Sequence, residues 1–285
     1  MNNENYVLVS VHIICYNQEP YLRSCIESIL NQVCNFKYEI LIADDFSTDG
    51  TIKIIDEYSY KNKNIIKPFY SKENNGALKN HLRLFSESKG KYIALCEGDD
   101  YWTDPSKLQM QVDFLEANED FHICHSDVIF IDENNTQIEK KFKRWRYKHD
   151  VLDYRAAIFE VITFTCTTMF RNDINLNISS RQQVEGASHL WLLLALKGKV
   201  KFLKEKTAAY RVGVGVSKDA IWHKIFYKKA YFIFRKISLK NSFKMNIWLF
   251  RGSIYYLLVK LSFDLNIYKL RQIARKFRYN KIYVD

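Results

Sequence analysis

The sequence predicts an α/β fold: a mostly parallel central sheet flanked by helices, with a C-terminal helical extension. Short runs rich in β-branched residues alternate with segments of helical spacing over roughly the first 120 residues. This alternation is typical of parallel strands joined by crossover helices. Three runs are followed by polar or acidic residues, at 15–19, 44–48 and 97–102, and ligands bind beyond such strand ends in open parallel sheets.

The elements of the first half follow from these two patterns. Apolar, β-branched runs predict strands at Val7–Ile14, Tyr38–Ala43, Ile65–Tyr70 and Tyr92–Cys96. Apolar residues at helical spacing predict helices at Glu19–Val33, Thr48–Tyr58, Ala77–Ser88 and Pro105–Ala117. Ser47 or Thr48 is the expected N-cap of the second helix.

The pattern changes to an α+β character after Phe121. It predicts longer strands at Phe121–Ile131 and Ile162–Arg171, a helix within Arg181–Gly198, and short strands at Val200–Leu203 and Thr207–Val212. We therefore expect one domain over residues 1–218, with a nucleotide-binding half at 1–120 and an acceptor-facing half at 121–218. Residues 219–285 form the predicted extension.

The positive charge of the chain is concentrated in that extension. The net charge is +11, and residues 220–285 contain fifteen Lys or Arg against two acids, which leaves −2 for the rest. No apolar run there reaches the roughly 20 residues that span a bilayer. Two or three basic, aromatic amphipathic helices would suit an anionic membrane surface. The alternative is a helical cap with a solvated basic face, and no motif supports nucleic-acid binding.

The N-terminus and the cysteines indicate a compartment. No basic cluster followed by an apolar run begins the chain, so we expect no secretory signal. The six cysteines are scattered without a CxxC pair, which favours free thiols in a reducing cytosol. We expect a cytoplasmic protein, peripheral to the inner face of the membrane if the extension binds lipid.

An acidic turn follows the fourth predicted strand. Glu97, Asp99 and Asp100 offer hard oxygen ligands for Mg²⁺ or Mn²⁺, and Gly98 allows a close backbone approach. A cation there would stabilise charge on a leaving diphosphate. A solvated acidic turn is the alternative, which a second Asp-Asp pair at Asp44 and Asp45 makes less attractive.

Three motifs in series give the chain a family resemblance. The segments YNQE at 16–19, DDFSTD at 44–49 and EGDD at 97–100 occur in order. With their surroundings they resemble the family 2 glycosyltransferases of the GT-A fold, through about residue 130 and more weakly to 216. The resemblance implies an inverting transfer of a sugar from a nucleoside-diphosphate donor, UDP-linked, to the hydroxyl of a glycan or lipid-linked acceptor.

The resemblance also implies roles for individual residues. Tyr16, Asn17 and Glu19 would line the nucleotide pocket, and Asp45 would hold the base. Asp99 and Asp100 would contact the ribose and the metal-bound diphosphate, with Glu97 at the position of a first Asp. Two further contacts are implied, a donor-sugar contact by Asn80 and a phosphate contact by Arg211.

The chain departs from the family pattern at two positions. The general base of the family is an Asp just before a helix, and that position holds Ala187. Glu185 or His189 could replace it, although Glu185 could instead serve the helix dipole and His189 could be a packed histidine. Gly213 stands where relatives have a histidine.

These departures leave two alternatives to the transferase. A degenerate family member would bind a nucleotide or a partner without turnover. A nucleotidyltransferase would need a Gly-rich, basic loop after the first strand to hold a triphosphate, and the loop at 15–19 contains neither Gly nor a basic residue.

Overall fold

The fold is described from a computed structural model, which covers residues 6–139, 150–155, 163–173, 187–214 and 243–264. Its nine strands are β1 Val7–Cys15, β2 Lys37–Asp44, β3 Ile66–Tyr70, β4 Tyr92–Glu97, β5 Tyr101–Trp102, β6 Phe121–Ile131, β7 Val151–Leu152, β8 Met169–Arg171 and β9 Lys199–Arg211. They form one sheet in the order β3-β2-β1-β4-β8-β6-β9-β5, with β7 beside β9.

Six helices accompany the strands in the described ranges. They are α1 Leu22–Leu30, α2 Thr51–Lys61, α3 Ala77–Phe85, α4 Lys107–Ala117, α5 Ala187–Ala195 and α6 Phe243–Asp264. A single 3-10 turn, Thr165–Thr167, precedes β8. The predicted α/β fold with a large sheet flanked by helices is confirmed.

Alternating side chains of the central strands pack on two different layers. Val9, Val11 and Ile13 of β1 lie in a core cluster with buried residues of α1, α2 and α4. Ile93 and Leu95 of β4 belong to a second cluster, built with residues of α3, α5 and α6. Because successive strand residues point to opposite faces, the continuous apolar runs are those expected of a sheet covered on both sides.

The second half differs from its prediction in several places. The expected strand Ile162–Arg171 is wrong over most of its length, because in the described residues from 163 onward a 3-10 turn occupies Thr165–Thr167 and only Met169–Arg171 form a strand, β8. The two short strands expected at Val200–Leu203 and Thr207–Val212 are one strand, β9, whose pairing with β6 changes register twice near Asp127. The two-residue strands β5 and β7 were not predicted, since two residues show no periodicity.

The start of α2 also lies later than predicted. The helix begins at Thr51, and neither Ser47 nor Thr48 is its N-cap. The Thr51 backbone N–H donates to Asp49 Oδ1 at 3.0 Å, whereas Ser47 donates through its hydroxyl to Asp44. Short polar side chains compete for nearby backbone groups, so several in succession make the exact start of a helix ambiguous in sequence.

The helix α6 is the described part of the predicted extension. It has 22 residues, and Leu249 is buried in the cluster that contains Trp191 of α5. In the parts of the chain that the structure covers, no helix combines the length and apolar character that crossing a bilayer requires. The sequence also has a basic run with aromatic residues at 140–146, KKFKRWR, which could contact an anionic acceptor or form a solvated loop. That run and most of residues 219–285 lie outside the described residues.

Two buried histidines, one on β1 and one on α3, contact each other. His12 of β1 and His81 of α3 are in edge contact, with ring centroids 5.3 Å apart, and Phe85 stacks on His81. His12 Nε2 shares a 2.6 Å hydrogen bond with the Ser88 hydroxyl. Burial lowers the pKa of His81 to about 4, and burial together with His81 lowers the pKa of His12 well below its ordinary value. Both rings are therefore neutral in the folded protein at neutral pH.

This pair makes stability depend on pH in a defined direction. Below about pH 6.5 the unfolded chain binds protons on these rings and the folded chain does not, so acidification favours unfolding. The free energy of unfolding should fall between pH 6 and pH 5. We expect this fall to be about 1 kcal/mol smaller in His81→Gln than in the wild type. Urea denaturation at several pH values measures this slope. Equal slopes for the variant and the wild type would contradict the assignment.

Candidate active site

The candidate site lies where three parallel strands end together. β1 pairs in parallel with β2 and β4, which places Cys15 beside Asp44 and Ile14 beside Glu97. The loops that leave these strands therefore start side by side. The three polar segments that follow the strands in sequence occupy these loops, as expected for an open parallel sheet.

A cavity of about 630 Å³ opens between the loops, a size typical of small-molecule sites. Seven residues predicted for the site line it, namely Tyr16, Asp45, Asn80, Glu97, Asp99, Asp100 and Arg211. Asn17 and Glu19 lie beside the cavity without lining it. Glu185 is outside the described residues, and His189 lies in α5 with its side chain outside the description.

The negative charge of the acidic turn is only partly balanced by neighbouring groups. Glu97 Oε2 is buried without a hydrogen-bond partner. Burial and the neighbouring Asp99 raise the pKa of Glu97 to about 8. Burial, followed by repulsion from Asp99 and Glu97, raises the pKa of Asp100 well above its ordinary value. Both causes disfavour the charged form, so these carboxyls lie in a place that would favour an added cation.

Each carboxyl of the turn nevertheless has its own contacts. The nearby side chains of Thr165 and Gln18 lower the pKa values of Glu97 and Asp99, respectively, against the larger effect of burial, and the backbone N–H of Arg211 donates to Asp100 Oδ1 at 2.8 Å. Across the described ranges, no three His, Cys, Asp or Glu side chains are arranged to hold a metal ion. The predicted metal ligands thus share one wall but do not converge on a point, and binding a cation would require their side chains to turn.

Arg211 fastens the acidic turn to a neighbouring loop. Its guanidinium is 4.2 Å from the centroid of the Tyr21 ring. Its nitrogens donate to three protein oxygens at 2.7–2.8 Å, which belong to the Asp99 carbonyl, the Asp132 carbonyl and the Asn135 side chain. The resemblance implies a phosphate contact for Arg211. In this arrangement its hydrogen bonds are directed at the protein instead, which gives it a positioning role.

Asp45 and Asn80 shape the opposite wall. The Asp45 carboxylate accepts hydrogen bonds from the backbone N–H groups of Asn75 at 2.9 Å and Gly76 at 2.7 Å. Gly76 has a φ of +85°, in the left-handed region that glycine adopts readily. Asn80 Nδ2 donates to the Ala43 carbonyl at 2.6 Å. Asp45, implied to hold the base, therefore also fixes the loop that leads into α3.

Asn17 and Glu19 join the first two loops to each other. Asn17 Oδ1 accepts a hydrogen bond from the Thr48 backbone at 2.8 Å. Glu19 Oε2 accepts one from the Gly50 backbone, also at 2.8 Å. Their side chains therefore hold the two loops together. Of the three residues expected at this edge of the pocket, Tyr16 alone lines the cavity.

Gln18, Thr165 and Tyr210 line the cavity although sequence reasoning did not select them. Burial, followed by the charges of Asp100 and Glu97, raises the pKa of Tyr210. Tyr210 directly precedes Arg211, which the family resemblance had selected, and this adjacency is a signal that could have identified it. Thr165 lies in the 3-10 turn and offers no signal in sequence.

A buried lysine contacts the two side chains that hydrogen-bond to this 3-10 turn. Lys107 is fully buried, its Nζ donates to Gln111 Oε1 at 2.7 Å, and it lies 4.2 Å from the centroid of the Trp102 ring. Gln111 and Trp102 in turn donate to the carbonyls of Thr167 and Cys166, each at 2.8 Å. Burial lowers the pKa of Lys107 to about 8. Lysine is rarely buried without a carboxylate partner, so this support is unusual.

Comparisons with known proteins agree with the fold described above. The profile of Glycosyl transferase family 2 matches residues 10–177, more than half of the 285 residues. An uncharacterized protein of Mycobacterium tuberculosis is 31% identical over 218 residues, and the match covers 76% of this chain but only 61% of that relative. A putative teichuronic acid biosynthesis glycosyltransferase of Bacillus subtilis, TuaG, is 28% identical over 249 residues, covering 85% of this chain and 93% of TuaG.

Two further relatives have more specific names. WfaP of Escherichia coli, a UDP-Glc:alpha-D-GlcNAc-diphosphoundecaprenol beta-1,3-glucosyltransferase, is 29% identical over 212 residues, covering 73% of this chain and 78% of WfaP. Among solved structures, residues 1–349 of S. aureus TarS in complex with UDP-GlcNAc superpose with a TM-score of 0.68 at 15% identity, covering 94% of this chain and 78% of TarS. Such a likeness shows a shared fold.

Proposed function

This chain belongs to glycosyl transferase family 2, and from that premise we propose that it transfers a sugar from a UDP-linked donor to an acceptor hydroxyl, with inversion and assistance from Mn²⁺ or Mg²⁺. One observation carries the proposal. Asp45 and the three carboxyls of the acidic turn line a single cavity of about 630 Å³ beyond the ends of parallel strands. That is where open α/β sheets bind nucleotides.

The acidic turn offers the oxygen ligands that a divalent cation prefers, and its side chains would turn towards a common point to bind one. Glu97 Oε2 is a buried acceptor without a partner, and hard oxygen ligands suit Mg²⁺ or Mn²⁺. Glu97, Asp99 and Asp100 would hold the ion. When bound, the cation supplies positive charge opposite a departing diphosphate.

The remaining residues of the cavity would bind and orient the donor. Tyr16 and Asp45 lie on the side of the first two loops, which suits the base and ribose, and Asn80 extends this wall towards the sugar. A general base must take the proton of the acceptor hydroxyl as it attacks the anomeric carbon. We assign that role to Glu185, with His189 as the alternative, because the family carries its base at the corresponding place in the sequence, at the start of this helix.

The relatives support the classes of donor and acceptor. TarS was solved with UDP-GlcNAc, and the name of WfaP describes a UDP-glucose donor and a diphosphoundecaprenol-linked acceptor. We propose that this chain also uses a UDP-sugar and a glycan or lipid-linked acceptor, in cell-surface polysaccharide or glycolipid synthesis.

Removing a carboxyl of the acidic turn tests the site. We expect Asp99→Ala and Asp100→Ala each to weaken UDP binding in the presence of Mn²⁺ by at least about tenfold, because each removes a ligand or its support. Isothermal titration calorimetry with and without Mn²⁺ measures this loss, and release of sugar from a panel of UDP-sugars measures turnover.

Asp113→Ala is the matched control, because Asp113 is an exposed acid on α4. It should bind UDP as the wild type does. Normal binding by both acidic-turn variants would contradict the site. Tighter binding of a nucleoside triphosphate than of UDP would instead favour a nucleotidyltransferase, and UDP binding without turnover of any donor would favour a degenerate member.

We also propose that α6 contacts an anionic membrane surface. Ile247, Phe250 and Leu257 are 42%, 51% and 46% exposed, and spacings of three and seven residues place them on one face of the helix. The opposite side carries the buried Leu249. Large apolar side chains next to a basic segment are typical of interfacial helices.

Phe250→Glu tests this contact without disturbing the buried side of α6. We expect the variant to bind vesicles containing phosphatidylglycerol at least about tenfold more weakly than the wild type, because it removes apolar burial and adds a negative charge. Vesicle sedimentation measures binding. Tyr60→Glu, at a side chain that is 74% exposed on α2, is the control. Equal sedimentation of Phe250→Glu and wild type would argue against the contact.

A further inference from the structure

One wall of the cavity has no part in the proposed function. In the sheet order, β4 lies between β2 on one side and β8, β6 and β9 on the other. Asp45 directly follows β2, Glu97 ends β4, and Tyr210 lies near the end of β9, and all three line the cavity. Tyr210 is thus across the acidic turn from the wall that suits the base and ribose. A group bound beside Tyr210 would lie on the far side of the diphosphate.

Tyr210 belongs to a cluster of three aromatic rings. Phe130 of β6 is its partner in register on the neighbouring parallel strand, and their ring centroids are 6.1 Å apart. The ring of Phe164 lies 5.2 Å from that of Tyr210 and 5.6 Å from that of Phe130, again between centroids. These separations are typical of aromatic rings that attract each other. The Tyr210 ring therefore has two aromatic neighbours that fix its position.

The backbone of Phe164 is itself fixed by the residues that follow it. Its carbonyl oxygen accepts hydrogen bonds from the Thr167 backbone N–H at 3.0 Å, the Thr167 hydroxyl at 2.9 Å and the Thr168 hydroxyl at 2.8 Å. Phe130 is held by the pairing of β6 with β9. A ring whose neighbours are already ordered loses little freedom when a ligand binds, which lowers the entropic cost of binding.

The chemistry of this wall suits a sugar ring. One face of a pyranose carries C–H groups, which the negative face of an aromatic ring attracts, and its hydroxyls need polar partners. Tyr210 is half-buried and offers both a ring and a hydroxyl that can donate and accept. Val214 and Thr165 line the cavity as well. The wall thus combines apolar contact area with hydroxyl groups.

The donor's own sugar has its assigned residue on the other wall. Asn80, to which the proposed function gives the sugar of the donor, donates to the Ala43 carbonyl of β2 at 2.6 Å. Tyr210 and the cluster around it lie beyond β4, on the side of β6 and β9. The sugar that remains to be bound on this side is that of the acceptor.

We propose that Tyr210 binds a pyranose ring of the acceptor by stacking on it, and that Phe164 and Phe130 hold the tyrosine ring in place. The inference rests on the proposed function, because it takes the opposite wall of the cavity to bind the nucleotide sugar. It adds the chemical class of the acceptor group, a pyranose with an accessible C–H face, and the residue that recognises it.

Replacing the ring tests the stacking. Tyr210→Leu keeps an apolar side chain but removes the aromatic face. We expect its dissociation constants for methyl β-D-glucopyranoside and methyl N-acetyl-β-D-glucosaminide to rise at least about fivefold. Saturation-transfer NMR in the presence of UDP and Mn²⁺ measures them. Tyr210→Phe keeps the ring and should bind both sugars more tightly than Tyr210→Leu. Tyr60→Leu, at an exposed tyrosine of α2, is the control and should bind as the wild type does.

Three outcomes would overturn the stacking. They are wild-type affinity in Tyr210→Leu, equal losses in Tyr210→Leu and Tyr210→Phe, and a wild type that binds UDP but neither glycoside. The wild type alone gives a further test that does not depend on whether a variant folds. Saturation should reach the C–H protons on one face of the sugar most strongly, and even transfer to all ring protons would contradict stacking.

Binding of the donor distinguishes the acceptor sugar from the donor sugar. Isothermal titration calorimetry with Mn²⁺ measures the affinities for UDP and for the UDP-sugar that the wild type binds most tightly. We expect Tyr210→Leu to keep both within about twofold of the wild type, because the ring contacts neither ligand. A loss confined to the UDP-sugar would assign the ring to the donor sugar, and a loss for both would assign it to the nucleotide. Either result overturns the inference.

A double-mutant cycle tests the support from Phe164. We expect Phe164→Leu to weaken glycoside binding by about threefold in the wild type, but to have no further effect in Tyr210→Leu, where the ring that it holds is absent. Equal losses in both backgrounds would overturn the role of Phe164. Should Phe164→Leu fail to fold, the Tyr210 variants still decide the role of Tyr210.

The proposed function fails in a different way. A wild-type protein that binds neither UDP nor any UDP-sugar in the presence of Mn²⁺ overturns the proposed function, and this inference with it. A wild-type protein that binds UDP, together with a Tyr210→Leu variant that binds both glycosides equally well, overturns the inference alone.

Discussion

The site depends on the parallel pairing of β1 with its two neighbours. Cys15 lies beside Asp44, and Ile14 beside Glu97, so the loops that leave three strands begin at one level of the sheet. Each crossover helix returns the chain to the other end of the sheet, which is why β1, β2, β3 and β4 all finish on the same side. Polar residues that are far apart in sequence thereby share one cavity, and no loop needs to be long to reach it.

The second constraint is electrostatic. The acidic turn combines burial with mutual repulsion, and burial is the first cause of the raised pKa values of Glu97 and Asp100. Its surroundings hold it in place without neutralising it fully, through Arg211 on one side and the 3-10 turn at 165–167 on another. Buried carboxyls with incomplete compensation oppose folding. They are retained most readily where a ligand supplies the missing charge, so this cost is evidence for function.

The sequence allowed a good prediction of the fold and of the carboxyls, because both are encoded locally. A β-branched run followed by acids identifies a strand end, and repetition of the pattern identifies the sheet. The partners of these residues could not be predicted in the same way. Arg211 contacts Asp99, 112 positions away, and the Gln18 side chain lies beside Gly98 of the acidic turn. Both contacts follow from packing between distant parts of the sequence. The 3-10 turn replaced the middle of a predicted strand because buried contacts with Gln111 and Trp102 outweigh strand propensity.

In the proposed function, the carboxyls of the acidic turn bind a divalent ion together with the diphosphate of a nucleotide. A crystal structure of the protein with UDP and Mn²⁺, recorded with anomalous scattering from manganese, tests it most directly. We expect an anomalous peak within about 2.5 Å of a carboxyl oxygen of Asp99 or Asp100 and of the diphosphate. A peak away from Glu97, Asp99 and Asp100, or UDP bound outside the cavity, would contradict it.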